Sequence, residues 1–143
     1  KYRIDGDTGA IQQLVEHRND SANFEWFVET EGSGSFYNMH YTLWPDGNQT
    51  SGVFTNQLDA GDTHVVVGTY DGERLRFYRD GQFVGSKAVE DEVEMGALYI
   101  GADAVDASSQ HLDGRIYQLR LYYDAMDDDE VAVLSDVMAA EAE

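Results

Sequence analysis

The stretch His64-Val-Val-Val-Gly-Thr-Tyr-Asp-Gly-Glu-Arg-Leu-Arg-Phe-Tyr-Arg-Asp-Gly81 decides the fold. Residues 63–70 form a β-branched run, and residues 74–80 alternate Leu75 and Phe77 with charged side chains. Successive side chains of a strand point to opposite faces, so period 2 reads as a strand buried on one side. Asp71-Gly72 joins the two halves and Asp80-Gly81 ends the second. An Asp-Gly pair supplies the positive φ that a tight hairpin turn demands.

The same pattern extends in both directions. Within residues 22–30, Phe24, Trp26 and Val28 point one way while Glu25 and Glu29 point the other. Residues 36–44 put Tyr37, Met39, Tyr41 and Leu43 on one face and Phe36, Asn38, His40, Thr42 and Trp44 on the other. Residues 97–100 are short and apolar, and residues 115–124 alternate again, with Tyr117, Leu119, Leu121 and Tyr123 on the apolar side. Asp46-Gly47 and Asp113-Gly114 add turn signals, and residues 32–34 read as a loose loop. Strand, turn and strand at this spacing predict an all-β, antiparallel, two-sheet β-sandwich. One short helix closes the chain: Asp127 caps it with Glu130 three residues on, and Val131, Leu134, Val137 and Met138 form its stripe. We expect it to lie as a lid on a sheet edge.

Composition narrows the partners. The 143 residues carry 9 Lys+Arg against 28 Asp+Glu, a formal charge of −19. Such a surface repels phosphate backbones and anionic lipids, which argues against nucleic-acid and membrane-surface binding. The absence of cysteine excludes disulfides and thiolate metal sites. No apolar run is long enough to span a bilayer. Acid-rich, lysine-poor sequence suits a protein kept soluble in molar salt, which points to a halophilic, archaeal source. At 42% hydrophobic the chain can build one packed core, so residues 1–143 are expected to form a single domain.

Two stretches together resemble the laminin-G-like branch of the concanavalin A-like lectin/glucanase superfamily. One is residues 64–81 above. The other is Ala97-Leu-Tyr-Ile-Gly101 followed by Leu112-Asp-Gly-Arg-Ile-Tyr-Gln-Leu-Arg-Leu-Tyr-Tyr-Asp-Ala-Met-Asp-Asp-Asp-Glu-Val131. The resemblance implies a jelly roll with one concave sheet. It also implies an N-terminus short by one or two leading strands, either absent or contributed by another segment or another chain. Two positions depart from the family's pattern. Thr63 replaces the tryptophan usual before the histidine, which leaves Trp26 as the expected core anchor. Tyr117-Gln118 replaces an acidic pair.

The chemistry that follows is mostly negative. Glucanases of the superfamily alternate carboxylates along one strand, whereas Glu90-Asp91-Glu92-Val93-Glu94 reads as a solvated acidic turn without the burial that raises a catalytic pKa. His17, His40, His64 and His111 have no zinc-ligand spacing; His64 is expected as a buried core imidazole, and His17 and His111 near strand ends. Calcium is the one candidate cofactor, at Asp5-Gly6-Asp7 or in the loop holding Asp103, Asp106 and Asp113, because laminin-G-like domains often hold calcium at a sandwich rim; among 17 aspartates, chance clustering is the stronger reading. Asn19-Asp-Ser and Asn48-Gln-Thr are glycosylation sequons and tilt the chain towards the outside of the cell.

What remains is a polar-aromatic face: Asn38, His40, Thr42 and Trp44 on one strand, Gln118, Arg120 and Tyr122 on another, and Arg76 and Tyr78 on a third. Aromatic rings stack on sugar C–H faces while amides and guanidinium groups bond hydroxyls. The expected function is a non-catalytic extracellular carbohydrate-binding or adhesion module, its partner a glycan or surface protein. The alternative is a structural subunit of a cell-surface or virion appendage, assembled with itself or another protein through an open sheet edge. A glycan hydrolase ranks below both.

Overall fold

A computed structural model describes residues 1–6, 11–18, 24–33, 36–43, 50–55, 58–89, 97–102 and 111–142. Side chains are described for these except at 18, 24–33, 36, 42, 43, 50–52 and 54. The chain runs through β1 (Tyr2–Ile4), β2 (Gln12–Arg18), β3 (Phe24–Ser33), β4 (Phe36–Leu43), β5 (Thr50–Phe54), β6 (Leu58–Asp59), β7 (Thr63–His64), β8 (Val66–Tyr70), β9 (Arg74–Arg79), β10 (Gln82–Ala88), β11 (Ala97–Ile100), β12 (Gly114–Ile116) and α1 (Asp128–Ala140). A six-stranded sheet has the order β11-β2-β3-β4-β5, with β6 also paired to β4. The opposing layer consists of two three-stranded pieces, β12-β1-β7 and β10-β9-β8. All pairings are antiparallel, as the alternation predicts.

The alternating residues meet between the layers. Tyr37, Met39 and Tyr41 of β4, Leu75 and Phe77 of β9, and Tyr2 and Ile4 of β1 are all buried in one core. The Tyr41 and Phe77 rings lie 5.8 Å apart across the sandwich, and Tyr2 meets Tyr37 edge-on at 6.4 Å. Burial holds the Tyr2 and Tyr41 hydroxyls well above the ordinary phenol range. Gly68 is needed where it stands, because a Cβ there would come within 2.5 Å of the Tyr41 ring.

The run 63–70 is divided at Val65 into β7 and β8. Asp80 causes the break. Its carboxylate accepts from the Val65 amide (2.9 Å) and its own amide donates to the Val65 carbonyl (2.8 Å). Its second oxygen lies 2.9 Å from His64 Nδ1. Burial pushes the Asp80 carboxyl up, but His64 and the Val65 amide outweigh it and draw it below its usual value. His64 is therefore half-buried and held by Asp80 rather than enclosed in the core. Asp80 takes φ 50° and Gly81 φ 76°, the left-handed pair of a tight hairpin turn between β9 and β10.

Several expectations need correction. Asp113-Gly114 is no hairpin turn: Gly114 opens β12, where a Cβ would collide with the Arg3 carbonyl oxygen. β3 continues through Gly32 and Ser33, which pair with Tyr37 and Phe36, where a loose loop was expected. Residues 115–124 form a strand only at Gly114–Ile116; Leu119 and Leu121 are 38% and 59% exposed and Tyr123 is fully exposed. Their backbone has a sheet partner only as far as β1 extends, and β1 stops at Tyr2. Trp26 pairs through its backbone with His17 and Leu43, and its side chain lies outside the described set.

α1 has the predicted capping box, Asp127 accepting from the Glu130 amide and Glu130 reaching back to the Asp127 amide. Val131 and Met138 are buried and Val137 is exposed. The helix lies against β8, the edge strand of its sheet, and reaches β9 where Tyr78, on the opposite side of that strand from Phe77, donates to Asp128 at 2.7 Å. At the other end, Lys1 Nζ caps the last turn through the Glu141 carbonyl (2.6 Å) and the Ala139 carbonyl (3.3 Å).

Candidate functional site

The site grows from the side of β4 turned away from the core. With Tyr37, Met39 and Tyr41 inside, strand alternation places Asn38, His40 and Thr42 on the other face. Antiparallel register carries that face across the sheet. Gln13 of β2 stands opposite Glu29 of β3, Glu29 opposite His40, and His40 opposite Phe54 of β5. In the neighbouring row Tyr99 of β11 opposes Glu16, Glu16 opposes Phe27, and Phe27 opposes Thr42. Asn38 opposes Glu31 at one end. Among the residues with described side chains, these rows bring together Gln13, Glu16, His40, Asn38 and Tyr99.

The middle of this face is buried. Glu16 is fully buried, Gln13 is 1% and His40 7% exposed, while Asn38 stands open to solvent. A carboxylate removed from water survives as an anion only with polar company, and both Glu16 and His40 have an interaction partner. Of Gln13, Glu16, Asn38 and His40, Asn38 alone is open to solvent and so to a ligand. Sequence reasoning missed Gln13 and Glu16 because β2 has no period. All of residues 12–17 are buried, and a bulge between Gln13 and Val15 shifts the register. Neither face of β2 is a water face, so alternation has nothing to report.

The other sequence-derived residues sit elsewhere. Arg76 and Tyr78 belong to the opposing layer and face α1. Burial, reinforced by Asp128, pushes the Tyr78 hydroxyl up to about 12. Arg76 bonds Asp71 at 2.6 Å, and that bond above all lowers the Asp71 carboxyl to about 2. The Gln118 carbonyl accepts from the Lys1 amino group at 3.0 Å, and Arg120 forks onto both Glu141 carboxylate oxygens at 2.8 and 3.0 Å. Tyr122 is exposed. Asn38 and His40 therefore lie on one outer side of the sandwich, and Arg76 and Tyr78 on the other, so the structure does not unite them in a single face. Thr42 is described by its backbone alone, and Trp44 lies outside the described residues.

The rim brings Asp5 and Asp113 together: the Asp113 carbonyl accepts from the Asp5 amide at 2.9 Å. The Asp5 carboxylate is engaged by Arg3 at 2.5 Å and by Arg115 at 3.4 Å, company that opposes a cation. Among the described residues no three His, Cys, Asp or Glu side chains gather as a metal site. Of the calcium candidates, Asp5 and Asp113 are the described ones, and the Asp5 carboxylate is held by arginine. Asp7, Asp103, Asp106, the sequons at Asn19 and Asn48, and the acidic run at 90–94 lie outside the described residues. His17 lies near the end of β2 and is buried, and His111 is exposed. Among the described residues no helix is long and apolar enough to cross a membrane.

Comparison with known proteins finds a family model over residues 2–132, the laminin-G model of the concanavalin A-like lectin/glucanases superfamily. No curated protein matches the chain. Among solved structures, a native heptameric SAP-like pentraxin from Limulus polyphemus superposes with a TM-score of 0.72 at 14% identity, covering 94% of this chain and 67% of that one. An S-layer domain-containing protein from Clostridium thermocellum ATCC 27405 gives a TM-score of 0.45 at 19% identity, with the same coverages.

Proposed function

The chain belongs to the concanavalin A-like lectin/glucanases superfamily, and on that premise we propose that it is a non-catalytic carbohydrate-binding module working outside the cell of a halophilic organism. One observation carries the reading. The outer face of the six-stranded sheet holds Gln13, Glu29 and His40 in one register row, with Glu16 buried beside them and Asn38 open at the end. The exposed Asn38 amide both donates to and accepts from sugar hydroxyls, and the buried polar row beside it fixes the strands that carry it. The two sequons support the extracellular half of the proposal, and the acidic surface supports the halophilic half.

The test is a glycan array read in molar salt, followed by titration of the best hit. Asn38→Ala is expected to weaken binding by about tenfold, the effect of one lost hydrogen bond to a hydroxyl. Tyr122→Ala, on the opposite side of the molecule, leaves binding unchanged. Binding that survives Asn38→Ala and fails with Tyr122→Ala would overturn the assignment of this face. The same titration in calcium and in chelator, repeated with Asp113→Asn, decides whether the loop of Asp103, Asp106 and Asp113 contributes an ion. Release of reducing ends from a laminarin-like polymer, abolished by Glu16→Gln, would replace the binding module with a hydrolase.

A further inference from the structure

One hydrogen bond to a sugar hydroxyl is worth about tenfold in affinity, far too little to hold a glycan against the cost of association. Asn38 therefore needs company, and strand pairing shows where it lies. Val15 is in the core and stands opposite Ile100 of β11, so Ile100 shares the core-facing side of the sheet. Alternation then turns Tyr99 and Ala97 to the outer side, the side of Asn38. Tyr99 is 39% exposed. Ala97, the next outer residue of β11, is also exposed, and its methyl group is too small to cover the ring.

The polar end is built in the same way. Tyr37 pairs with Leu58 on the core side, so Phe36 and Asp59 pair on the outer side. Asn38 is the next outer residue along β4, diagonal to Asp59, and both are exposed. At this corner an amide and a carboxylate offer donors and acceptors to hydroxyls, and at the opposite corner an aromatic ring offers a stacking surface to C–H groups. Between them Gln13, Glu16 and His40 are buried. Three strand spacings separate β4 from β11. Along β4, Asn38 stands four residues from Thr42, the member of the Tyr99 row on that strand. The two corners are therefore about 20 Å apart, several times the width of one sugar ring.

We infer that this face takes an elongated, linear oligosaccharide, held at one end by hydrogen bonds to Asn38 and Asp59 and at the other by stacking on Tyr99. The inference rests on the reading of the outer face as a carbohydrate site, and adds to it a second anchor and the shape of the ligand. A single terminal sugar reaches one corner only. The buried row gives the ligand no side-chain contact, so the chain is gripped at its two ends. Charge narrows the class further. A uronic or sulfated unit would meet the Asp59 carboxylate and a net charge of −19, so the units are neutral or amino sugars.

The test takes the best hit of the glycan array, prepared as fragments of one to six sugar units, and titrates each in molar salt. Affinity is expected to climb by about tenfold or more as the fragment grows long enough to span both corners. Tyr99→Ala is expected to abolish that climb, and Tyr99→Phe, which keeps the ring, to retain it. Tight binding of the one-unit fragment with no gain from length would overturn the inference and leave the carbohydrate reading standing. So would a Tyr99→Ala variant that binds the six-unit fragment as tightly as the unaltered chain. Loss of the climb in Tyr99→Phe would overturn the stacking role, because the hydroxyl would then be the contact. An array without a hit would overturn both readings together.

Discussion

β9 and residues 117–123 are close relatives in sequence. Arg74-Leu-Arg-Phe-Tyr-Arg79 and Tyr117-Gln-Leu-Arg-Leu-Tyr-Tyr123 both alternate apolar residues with polar ones and both carry arginine and tyrosine. The first is the centre of a three-stranded sheet with Leu75 and Phe77 fully buried; the second is in no sheet and exposes Leu119, Leu121 and Tyr123. Alternation decides which side of a strand is apolar, but a neighbour on each flank decides whether a strand forms at all. β9 has β8 and β10 beside it, and residues 117–123 have β1 only at their start.

Mutation can break this contrast from either side. Phe77→Ala opens a cavity against Tyr41 and should cost about 3–5 kcal/mol in denaturant unfolding. Asp80→Ala attacks the junction where the paired half begins. It strips the Val65 amide of its acceptor and releases His64, with an expected loss of about 1–3 kcal/mol measured in the same way. Asp127→Ala removes the cap of the helix that backs both regions and should cost about 1 kcal/mol. Leu121→Ala should change stability by less than about 0.5 kcal/mol, since that side chain is already in water. A large loss at Leu121 would mean that residues 117–123 are packed in solution, and the contrast with β9 would fail.

Legibility followed the same physics. β4 and β9 were readable because one face meets the core and the other does not, and α1 was readable from Asp127 and Glu130. β2 was not, because both its faces are buried and a bulge interrupts its register. The division of residues 63–70 was not legible either, because it depends on Asp80, fifteen residues beyond Val65, reaching back to it. At the candidate site, Asn38 and His40 could be assigned to an outer face from β4 alone. Their neighbours Gln13 and Glu16 are close only through strand pairing. Arg76, Tyr78, Gln118, Arg120 and Tyr122 shared polarity with that face but not its location, since period 2 says which residues share a side of one strand and nothing about which sheet the strand joins.

By itself the sequence determined the local terms: the alternation, the Asp80-Gly81 turn, the capping box, and the net charge of −19. Each depends on residues within a turn or a few strand steps of one another. The tertiary structure alone decided which polar residues converge, where strands stop, and which edge stays open. Those outcomes rest on pairings between residues far apart in the chain, such as Tyr2 with both His64 and Ile116, whose hydrogen bonds leave no local pattern.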